Sequence, residues 1–163
     1  MRIGVVSDTH NNLKNIDFII NLFNEETVDL VIHTGDITQA TSLDRFKELN
    51  CEICGVFGNN DRNEIELIEF VRNQGLNFCE PPHIIEKGDK KIVIFHEPDY
   101  IHDFLSLNDD IDLVLHGHTH RFREDFFGQT LIYNPGESAG MLKGRNAVGV
   151  IDLNNLNARR IFF

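Results

Sequence analysis

The stretch "IGVVSDTH" (residues 3–10) joins a short apolar run to a polar end that carries an aspartate and a histidine. A continuous apolar run of this length is typical of a strand that is buried on both faces, in a sheet covered by helices. Runs of the same kind recur at residues 28–32, 53–57, 92–95 and 112–115. We therefore predict that buried strands form the frame of the fold.

Segments with helical spacing separate the first of these strands. Apolar residues recur at helical intervals in three groups: Leu13-Ile16-Ile20-Phe23, Leu43-Phe46 and Ile65-Ile68-Val71. This spacing places the members of each group on one face of a helix. Alternation of strand and helix over residues 1–75 predicts right-handed βαβ crossovers and a parallel sheet.

The second half of the chain predicts hairpins instead of crossovers. Residues 84–95 are expected to turn at Gly88-Asp89, residues 124–133 at Gly128-Gln129, and the tail 147–163 around its asparagines. The pairs Phe126-Phe127 and Phe162-Phe163 are expected in the core of this second sheet. We predict one α/β domain over residues 1–163, with a mixed second sheet.

Composition and charge disfavour several functions. The 41% of hydrophobic and 25% of charged residues are ordinary for a soluble globular chain. The formal net charge of −11 would repel a phosphate backbone and an anionic membrane, so neither extended nucleic acid nor a membrane is an expected partner. A phosphate-bearing substrate would need a local source of positive charge. The first apolar run is too short for a signal peptide or a membrane span, and we expect a cytoplasmic protein.

The three cysteines, Cys51, Cys54 and Cys79, are expected to be reduced thiols. Cys51 and Cys54 form a C-x-x-C pair, but their spacing within a predicted strand points the two side chains to opposite faces. Since no second cysteine pair completes four ligands, a zinc or redox site is disfavoured.

Metal-binding side chains follow all five apolar runs. They occur in "SDTH" with Asp8 and His10, "HTGD" with Asp36, "GNND" with Asn59 and Asn60, "HEPD" with His96, and "HGHTH" at residues 116–120. Each motif alone has an ordinary explanation, as a helix cap, a glycine turn or a buried histidine. The loops beyond the carboxyl ends of strands converge in one crevice of an α/β sheet, however, and ligands bind there.

With these motifs in order, the chain resembles the calcineurin-like metallophosphoesterase superfamily, and within it the small prokaryotic phosphodiesterases. The resemblance extends from "SDTH" through "GD", "GNND", the strand-end histidine and "GHTH" to "NPGE" at residues 134–137. It implies a four-layer α-β-β-α sandwich of two mixed β-sheets flanked by helices. It also implies a small phosphate ester as the substrate.

The resemblance further implies two divalent metal ions. One would be held by Asp8, His10, Asp36 and His120, and the other by Asp36, Asn59, His96 and His118. Asp36 would bridge the pair, and the residues given a catalytic role are Asp36, Asn59, Asn60 and His118. His116 and His33 are expected to be structural, and His83 and His102 to be solvated.

These residue types fit hydrolysis of a phosphate ester. Carboxylate, amide and imidazole donors suit Mn²⁺ above all, with Ni²⁺, Fe²⁺, Co²⁺ or Zn²⁺ as alternatives, and make Ca²⁺ unlikely to be the natural ion. Two such ions about 3.5–4 Å apart would clamp the attacking and leaving oxygens, with a bridging hydroxide as the nucleophile of an in-line attack. Asp8 and Asp36 give the empty site a charge of −2, and two divalent ions would make it +2. Gly35, Gly58 and Gly117 stand where a side chain would crowd the ions.

Two positions depart from the family pattern. Asn60 stands where many members have a histidine that protonates the leaving oxygen, so we expect a preference for esters with good leaving groups. Glu97 and Pro98 follow His96, where the family often has glycine and histidine, and they alter the rim of the crevice. The segment "NPGE" is either a simple turn or a contact to phosphate.

Two other functions remain as alternatives. The retromer subunit of the same fold is a protein-binding scaffold, and it too lacks a histidine at the position of Asn60. The complete set of ligands nevertheless favours an enzyme. A nuclease is disfavoured because no basic stripe or aromatic platform is visible. A homo-oligomeric contact stays open.

Overall fold

Eleven strands and four α-helices make up the chain, and a computed structural model describes all residues from 1 to 163. The helices are α1 (Leu13–Glu25), α2 (Ala40–Arg45), α3 (Ile65–Gln74) and α4 (Ile101–Leu107), and a 3₁₀ turn at Phe46–Glu48 extends α2. The strands are β1 (Arg2–Val6), β2 (Leu30–His33), β3 (Glu52–Val56), β4 (Asn77–Cys79), β5 (His83–Lys87), β6 (Lys90–Ile94), β7 (Leu113–Leu115), β8 (Arg123–Phe127), β9 (Thr130–Asn134), β10 (Ala147–Asp152) and β11 (Asn157–Phe162). None of the helices is long and apolar enough to cross a membrane.

The strands form two mixed sheets. The first sheet has the order β11-β10-β1-β2-β3-β4, in which β1 to β4 run parallel and β10 and β11 pair antiparallel. The second has the order β5-β6-β7-β9-β8, with β6, β7 and β9 parallel and a hairpin strand at each edge. The predicted βαβ half, both hairpins and the closing strands of the tail are therefore confirmed.

Three apolar clusters define four layers. A cluster of 15 buried residues, including Ile32 and Leu115, lies between the two sheets. A cluster of 16 packs the outer face of the first sheet against α1 to α3, and a cluster of 7 packs the second sheet against α4. Because every central strand is covered on both faces, its sequence is continuously apolar. The predicted α-β-β-α sandwich is confirmed.

Two elements were not expected, and the placement of the aromatic pairs was wrong. Strand β4 has a single buried residue, Phe78, and so shows no apolar run, whereas Ile101 and Leu105 of α4 do have helical spacing. Phe126 and Phe127 lie on the edge strand β8, with 60% and 37% of their surface exposed. Phe162 is 59% exposed and belongs to the first sheet, on its edge strand β11. Edge strands lack a neighbour on one side, so their apolar side chains need not be covered.

The cysteines are all free, as expected. Cys51 packs against the helix-side cluster and Cys54 lies between the two sheets, so the two thiols sit on opposite faces of the first sheet. Burial raises the pKa of the Cys54 thiol to about 12, which keeps it protonated and unreactive near neutral pH.

Candidate metal centre

Loops that follow β1, β2, β3, β6 and β7 meet at one edge of the sandwich. They bring together all seven side chains that the sequence singled out as metal ligands: Asp8, His10, Asp36, Asn59, His96, His118 and His120. Each side chain lies within 4.0 Å of at least one other member of this group. The convergence expected from the ends of the strands is therefore present.

One side of the centre is formed by Asp8, His10 and His120. Asp8 Oδ1 lies 4.0 Å from His10 Nε2 and 3.5 Å from His120 Nε2, and one ligand atom from each residue falls within 4.8 Å of the others. The two imidazole rings stack with their centroids 5.3 Å apart. Such a spacing leaves room for one cation between the three side chains.

The other side is formed around Asp36 and His96. Asp36 Oδ1 lies 3.4 Å from His96 Nε2, while its second oxygen, Oδ2, lies 3.5 Å from His10 Nε2 on the first side. Asn59 Oδ1 lies 2.9 Å from both His96 Nε2 and His118 Nδ1. Asp36 thus stands between the two sides, with one carboxylate oxygen facing each.

Asn60 contacts the same carboxylate. Its side-chain amide donates a hydrogen bond to Asp36 Oδ2 at 2.8 Å, and its backbone N–H donates to Asp36 Oδ1 at 3.0 Å. The side chain is exposed at the mouth of the centre. An amide can donate a hydrogen bond there but cannot release a proton to a leaving group.

The backbone at the centre is held in an unusual conformation. Asp8, Asp36, His118 and His120 have positive φ angles of 53°, 60°, 66° and 55°. Non-glycine residues rarely adopt this region, and each such residue costs on the order of 1–3 kcal/mol. The surrounding loops must stabilise this geometry, which aims side chains from short turns at one point.

Glycines allow these loops to approach one another closely. A Cβ atom on Gly58 would lie 2.2 Å from Asp36 Oδ1, and one on Gly117 would lie 1.9 Å from Ser7 Oγ. Both distances are shorter than any real contact of a Cβ atom. A side chain at either position would therefore collide with the neighbouring loops, and the expectation that it would also crowd bound ions stays a prediction.

Burial and charge shift the pKa values of the acidic and basic groups. Burial would raise the pKa of Asp36, but the hydrogen bond and charge of His96 and the donors of Asn60 outweigh it and hold that pKa well below its usual range. Burial would lower the pKa of His96, yet the neighbouring carboxylates of Asp36 and Asp8 raise it. Burial raises the pKa of Asp8, although the Ser7 hydroxyl donates a hydrogen bond to its carboxylate.

Two buried atoms of the centre have no partner in the protein. Asp8 Oδ1 and His10 Nε2 make no hydrogen bond, although both are inaccessible to solvent. Buried polar atoms are almost always paired, and an unpaired one needs a ligand or an ion to explain it. A carboxylate oxygen and an imidazole nitrogen that face each other are suitable ligands for a transition metal. The residues present therefore fit a divalent metal ion.

Glu137 is a residue of the centre that the sequence did not single out. Its carboxylate is fully buried, and Oε2 lies 3.5 Å from His120 Nδ1. It also accepts hydrogen bonds from the backbone N–H groups of Met141 at 3.1 Å and Leu142 at 2.5 Å. A carboxylate behind a histidine is a common way to fix the orientation of a metal ligand. The sequence shows Glu137 within "NPGE", but it does not show that the side chain lies close to His120.

Asn134, which opens "NPGE", supports the histidine loop in a similar way. Its side-chain amide donates hydrogen bonds to Gly117 O at 3.0 Å and Thr119 Oγ1 at 3.2 Å. Its side-chain oxygen accepts one from Gly136 N at 2.8 Å. The segment is thus a turn whose polar side chains brace the "HGHTH" loop.

Asp61 joins two other loops of the centre. It is fully buried, and its carboxylate accepts hydrogen bonds from the backbone N–H groups of Asp36, Thr38 and Gly58 at 2.7–2.8 Å. These contacts fix the turn after β2 against the turn after β3. The last residue of "GNND" was visible in the sequence, but its role depends on contacts across 25 residues of chain.

The remaining histidines lie outside the centre. Burial lowers the pKa of His33 to about 3 and that of His116 to about 4, so both stay neutral near physiological pH. His33 is hydrogen-bonded to Thr9 Oγ1 at 3.1 Å, and His116 ends β7. His102 is exposed, but His83 is only half-exposed and bonds to Gly55 O at 3.1 Å.

The chain is thus a sandwich of two mixed sheets with carboxylate and imidazole side chains gathered at one edge. Residues 1–156 match the family described as the calcineurin-like phosphoesterase superfamily domain. The chain belongs to this family, and the resemblance found in the sequence is confirmed.

Particular relatives agree with this assignment. A phosphodiesterase of Methanocaldococcus jannaschii is 33% identical over 163 residues, which cover 99% of this chain and 98% of the relative. The solved structure of an archaeal phosphodiesterase, also 33% identical, superposes with a TM-score of 0.89 and covers all of both chains. The Vps29 protein of Entamoeba histolytica in complex with zinc is 19% identical, covers 99% of both chains and has a TM-score of 0.71, and this likeness shows the fold alone.

Proposed function

We propose that this protein is a metal-dependent phosphodiesterase that acts on small phosphate esters with a centre of two divalent ions. The observation that carries the proposal is the convergence of seven donor side chains from five loops around Asp36. The relatives at 33% identity are phosphodiesterases, and they support the same substrate class for this chain.

The ligand sets follow from the two sides of the centre. Asp8, His10 and His120 would hold one ion, and Asn59, His96 and His118 the other. Asp36 presents one oxygen to His10 and the other to His96, which supports its assignment as the bridging ligand of both ions. The mixture of carboxylate, amide and imidazole donors is compatible with manganese, nickel, iron, cobalt or zinc, and manganese is our proposed ion.

The charge of the loaded centre would attract a phosphate ester that the acidic chain otherwise repels. A pair of divalent ions, when bound, would offset the charge of the ester and lower the pKa of a coordinated water molecule toward neutrality. Asp8 and Asp36 contribute two negative charges and the buried Glu137 carboxylate beside His120 a third, against four positive charges of two divalent ions. The centre would therefore be positive within a chain of net charge −11.

The residues at the mouth define what the protein itself can do to the substrate. Asn59, Asn60 and His118 are exposed, so an incoming ester can reach them. Asn60 can orient Asp36 and donate a hydrogen bond, but it supplies no proton. Departure of the leaving group would therefore depend on the stability of the leaving anion.

Two further features support a proposed compartment and a proposed substrate class. Three free cysteines support a reducing compartment such as the cytoplasm. The acidic balance of the chain supports a small substrate over extended nucleic acid.

A turnover assay with manganese tests this function. We expect the purified chain to hydrolyse a nitrophenyl phosphodiester only when metal is present, and an Asp36→Ala variant to be at least a thousandfold slower because it lacks the bridging ligand (about 4 kcal/mol). Asp125→Ala, at an exposed position on β8, is the matched control and should keep wild-type activity.

Two results would contradict the assignment. Hydrolysis that survives exhaustive removal of metal would exclude a metal-dependent enzyme. Absence of turnover with every metal, in a chain that binds metal, would instead favour a protein-binding scaffold of the same fold.

A further inference from the structure

An apolar pocket opens beside His96, on the side of the metal centre formed by α4. Its volume is about 450 Å³, and the range for small-molecule sites is roughly 300–1,000 Å³. Five of its lining residues are Pro82, Phe95, Tyr100, Phe104 and Leu107, and we call it the α4 pocket. His96 lines this pocket and also belongs to the group of metal ligands around Asp36. The pocket thus adjoins the centre and shares His96 as a wall.

The helix α4 divides its apolar residues between the core and this pocket. Ile101 and Leu105 are buried against the second sheet. Tyr100, Phe104 and Leu107 are spaced by four and three positions, so they share another face of the helix. Tyr100 is 72% exposed and Leu107 is 86% exposed. These two side chains therefore contribute little to the core and offer an apolar wall to a ligand.

The rim of the α4 pocket carries more negative than positive charge. Arg62 Nη2 donates to Glu97 Oε2 at 2.8 Å, and Arg62 Nε lies 3.6 Å from Glu80 Oε2. Asp103 lines the same pocket. Two carboxylates, Glu97 and Asp103, thus line the pocket against one guanidinium, which is already paired with Glu97 and Glu80. A negatively charged substituent would be repelled here, whereas an uncharged one would not.

The chemistry of the mouth favours an aromatic occupant. Since Asn60 cannot protonate a leaving oxygen, esters whose leaving anion is already stable should react fastest. A phenolic oxygen has a pKa of about 10, far below that of an aliphatic alcohol. Aromatic rings also stack well on tyrosine and proline surfaces. The apolar wall and the missing acid therefore point to the same kind of ester.

We propose that the α4 pocket binds an uncharged aromatic ring that is esterified to the phosphate. The proposal rests on the proposed function, because the ring reaches the pocket only when its phosphate is held at the metal centre. It assigns Tyr100 and Leu107 as residues that determine specificity, and Glu97 and Asp103 as residues that exclude anionic rings.

Direct binding measurements test this assignment without any need for turnover. Benzylphosphonate, methylphosphonate and inorganic phosphate are titrated by calorimetry into the manganese-loaded protein, since a carbon in place of the ester oxygen prevents hydrolysis. We expect benzylphosphonate to bind about tenfold more tightly than methylphosphonate. A carboxylate on the ring should remove most of this advantage.

Variants of two pocket residues test whether the α4 pocket causes the preference for benzylphosphonate. Tyr100→Ala combined with Leu107→Ser should reduce the preference for the benzyl compound to less than about twofold and leave inorganic phosphate unaffected, because both residues are exposed and lie outside the metal centre. Phe126→Ala, at a 60% exposed aromatic residue on β8, is the matched control and should keep the full preference.

The outcomes separate the two proposals. Equal affinity of the wild type for benzyl- and methylphosphonate, or equal loss of preference in the Phe126→Ala control, would overturn the ring-binding assignment and leave the phosphodiesterase intact. Failure of the loaded protein both to bind phosphate and to hydrolyse any diester would overturn the proposed function, and the ring-binding assignment with it.

Discussion

At the scale of single residues, Asn60 can orient the central carboxylate but cannot act as an acid. Its amide and its backbone N–H both bond to Asp36, so it still orients the central carboxylate. An imidazole at this position could also give up a proton, and general-acid catalysis typically contributes about 10²–10⁴-fold. Selectivity for the leaving group should therefore be controlled from this position.

The substitution Asn60→His should restore that acid. We expect it to raise kcat for a phosphodiester with an alkyl leaving group by at least about tenfold, with little change for a nitrophenyl diester that needs no acid. Steady-state kinetics with both substrates, compared with an Asn60→Gln variant, measure the difference. An equal change for the two substrates would contradict the role assigned to this position.

Glu137 gives a second test at this scale, through the orientation of His120. Glu137→Gln keeps one acceptor for the backbone of residues 141–142 but removes the negative charge behind His120 Nδ1. Loss of such a carboxylate weakens metal binding by about 10–100-fold. Competition with a fluorescent chelator measures the affinity for manganese, with Glu124→Gln as the exposed control. If Glu137→Gln bound manganese as tightly as the wild type, Glu137 would stabilise only the loop at residues 141–142 and would have no part in metal binding.

The convergence of the seven side chains could be predicted from the sequence because each follows an apolar run, whereas the choice of these seven as ligands rests on the resemblance to the family. Glu137 and Asp61 could not be assigned in the same way. Their roles depend on which side chain or N–H group the folded chain brings near them, and no local pattern contains that information. The sequence shows which residues can bind metal, while packing decides which residues hold them in place.

At the scale of elements, short loops rather than helices or strands bear the strain of the centre. Five strands, β1, β2, β3, β6 and β7, end at the same edge. The turns after β1, β2 and β7 adopt positive φ angles at the expected ligands Asp8, His10, Asp36, His118 and His120. Asp61 connects two of these turns through three backbone N–H groups. The strands and hairpins were predictable from apolar runs and turn residues. Helix α4 was missed, although Ile101 and Leu105 have helical spacing.

Removal of the Asp61 carboxylate should loosen both turns. Asp61→Ala leaves three buried N–H groups without a partner, and we expect the free energy of unfolding to fall by about 3 kcal/mol. Asp61→Asn keeps one acceptor, so its free energy of unfolding should lie between those of Asp61→Ala and the wild type. Urea unfolding of the metal-free protein checks this, with the exposed Asp99→Ala as a control. A loss no larger than that of the control would exclude the connecting role.

At the scale of the whole molecule, the two ends of the chain share one sheet. Strand β1 lies between β2 and β10, so the first and last segments of the chain complete the same surface. The folded chain also buries His33 and His116 as neutral residues. The charge of the chain could be counted from its sequence, whereas the burial of these two histidines depends on the closed fold.

Acid should destabilise the metal-free protein through these histidines. In the unfolded chain they titrate near 6.5, but burial lowers the pKa of His33 to about 3, so between these values the unfolded state binds more protons. The stabilisation is present above 6.5 and is lost as the pH falls, by about 2 kcal/mol for His33 between pH 7 and pH 5.

Urea unfolding at pH 7 and pH 5 measures this contribution. Between pH 7 and pH 5, the free energy of unfolding of His33→Gln should fall by about 2 kcal/mol less than that of the wild type. The exposed His102→Gln should behave as the wild type does. If His33→Gln kept the full loss, another group would have to carry the sensitivity to acid.

The central claim, two divalent ions held around Asp36, is tested most directly by anomalous X-ray diffraction from crystals grown with manganese. We predict two anomalous peaks about 3.5–4 Å apart, with the Asp36 carboxylate between them and the other six donors divided between the two sides. A single peak, or manganese bound elsewhere while these seven side chains stay without metal, would contradict it.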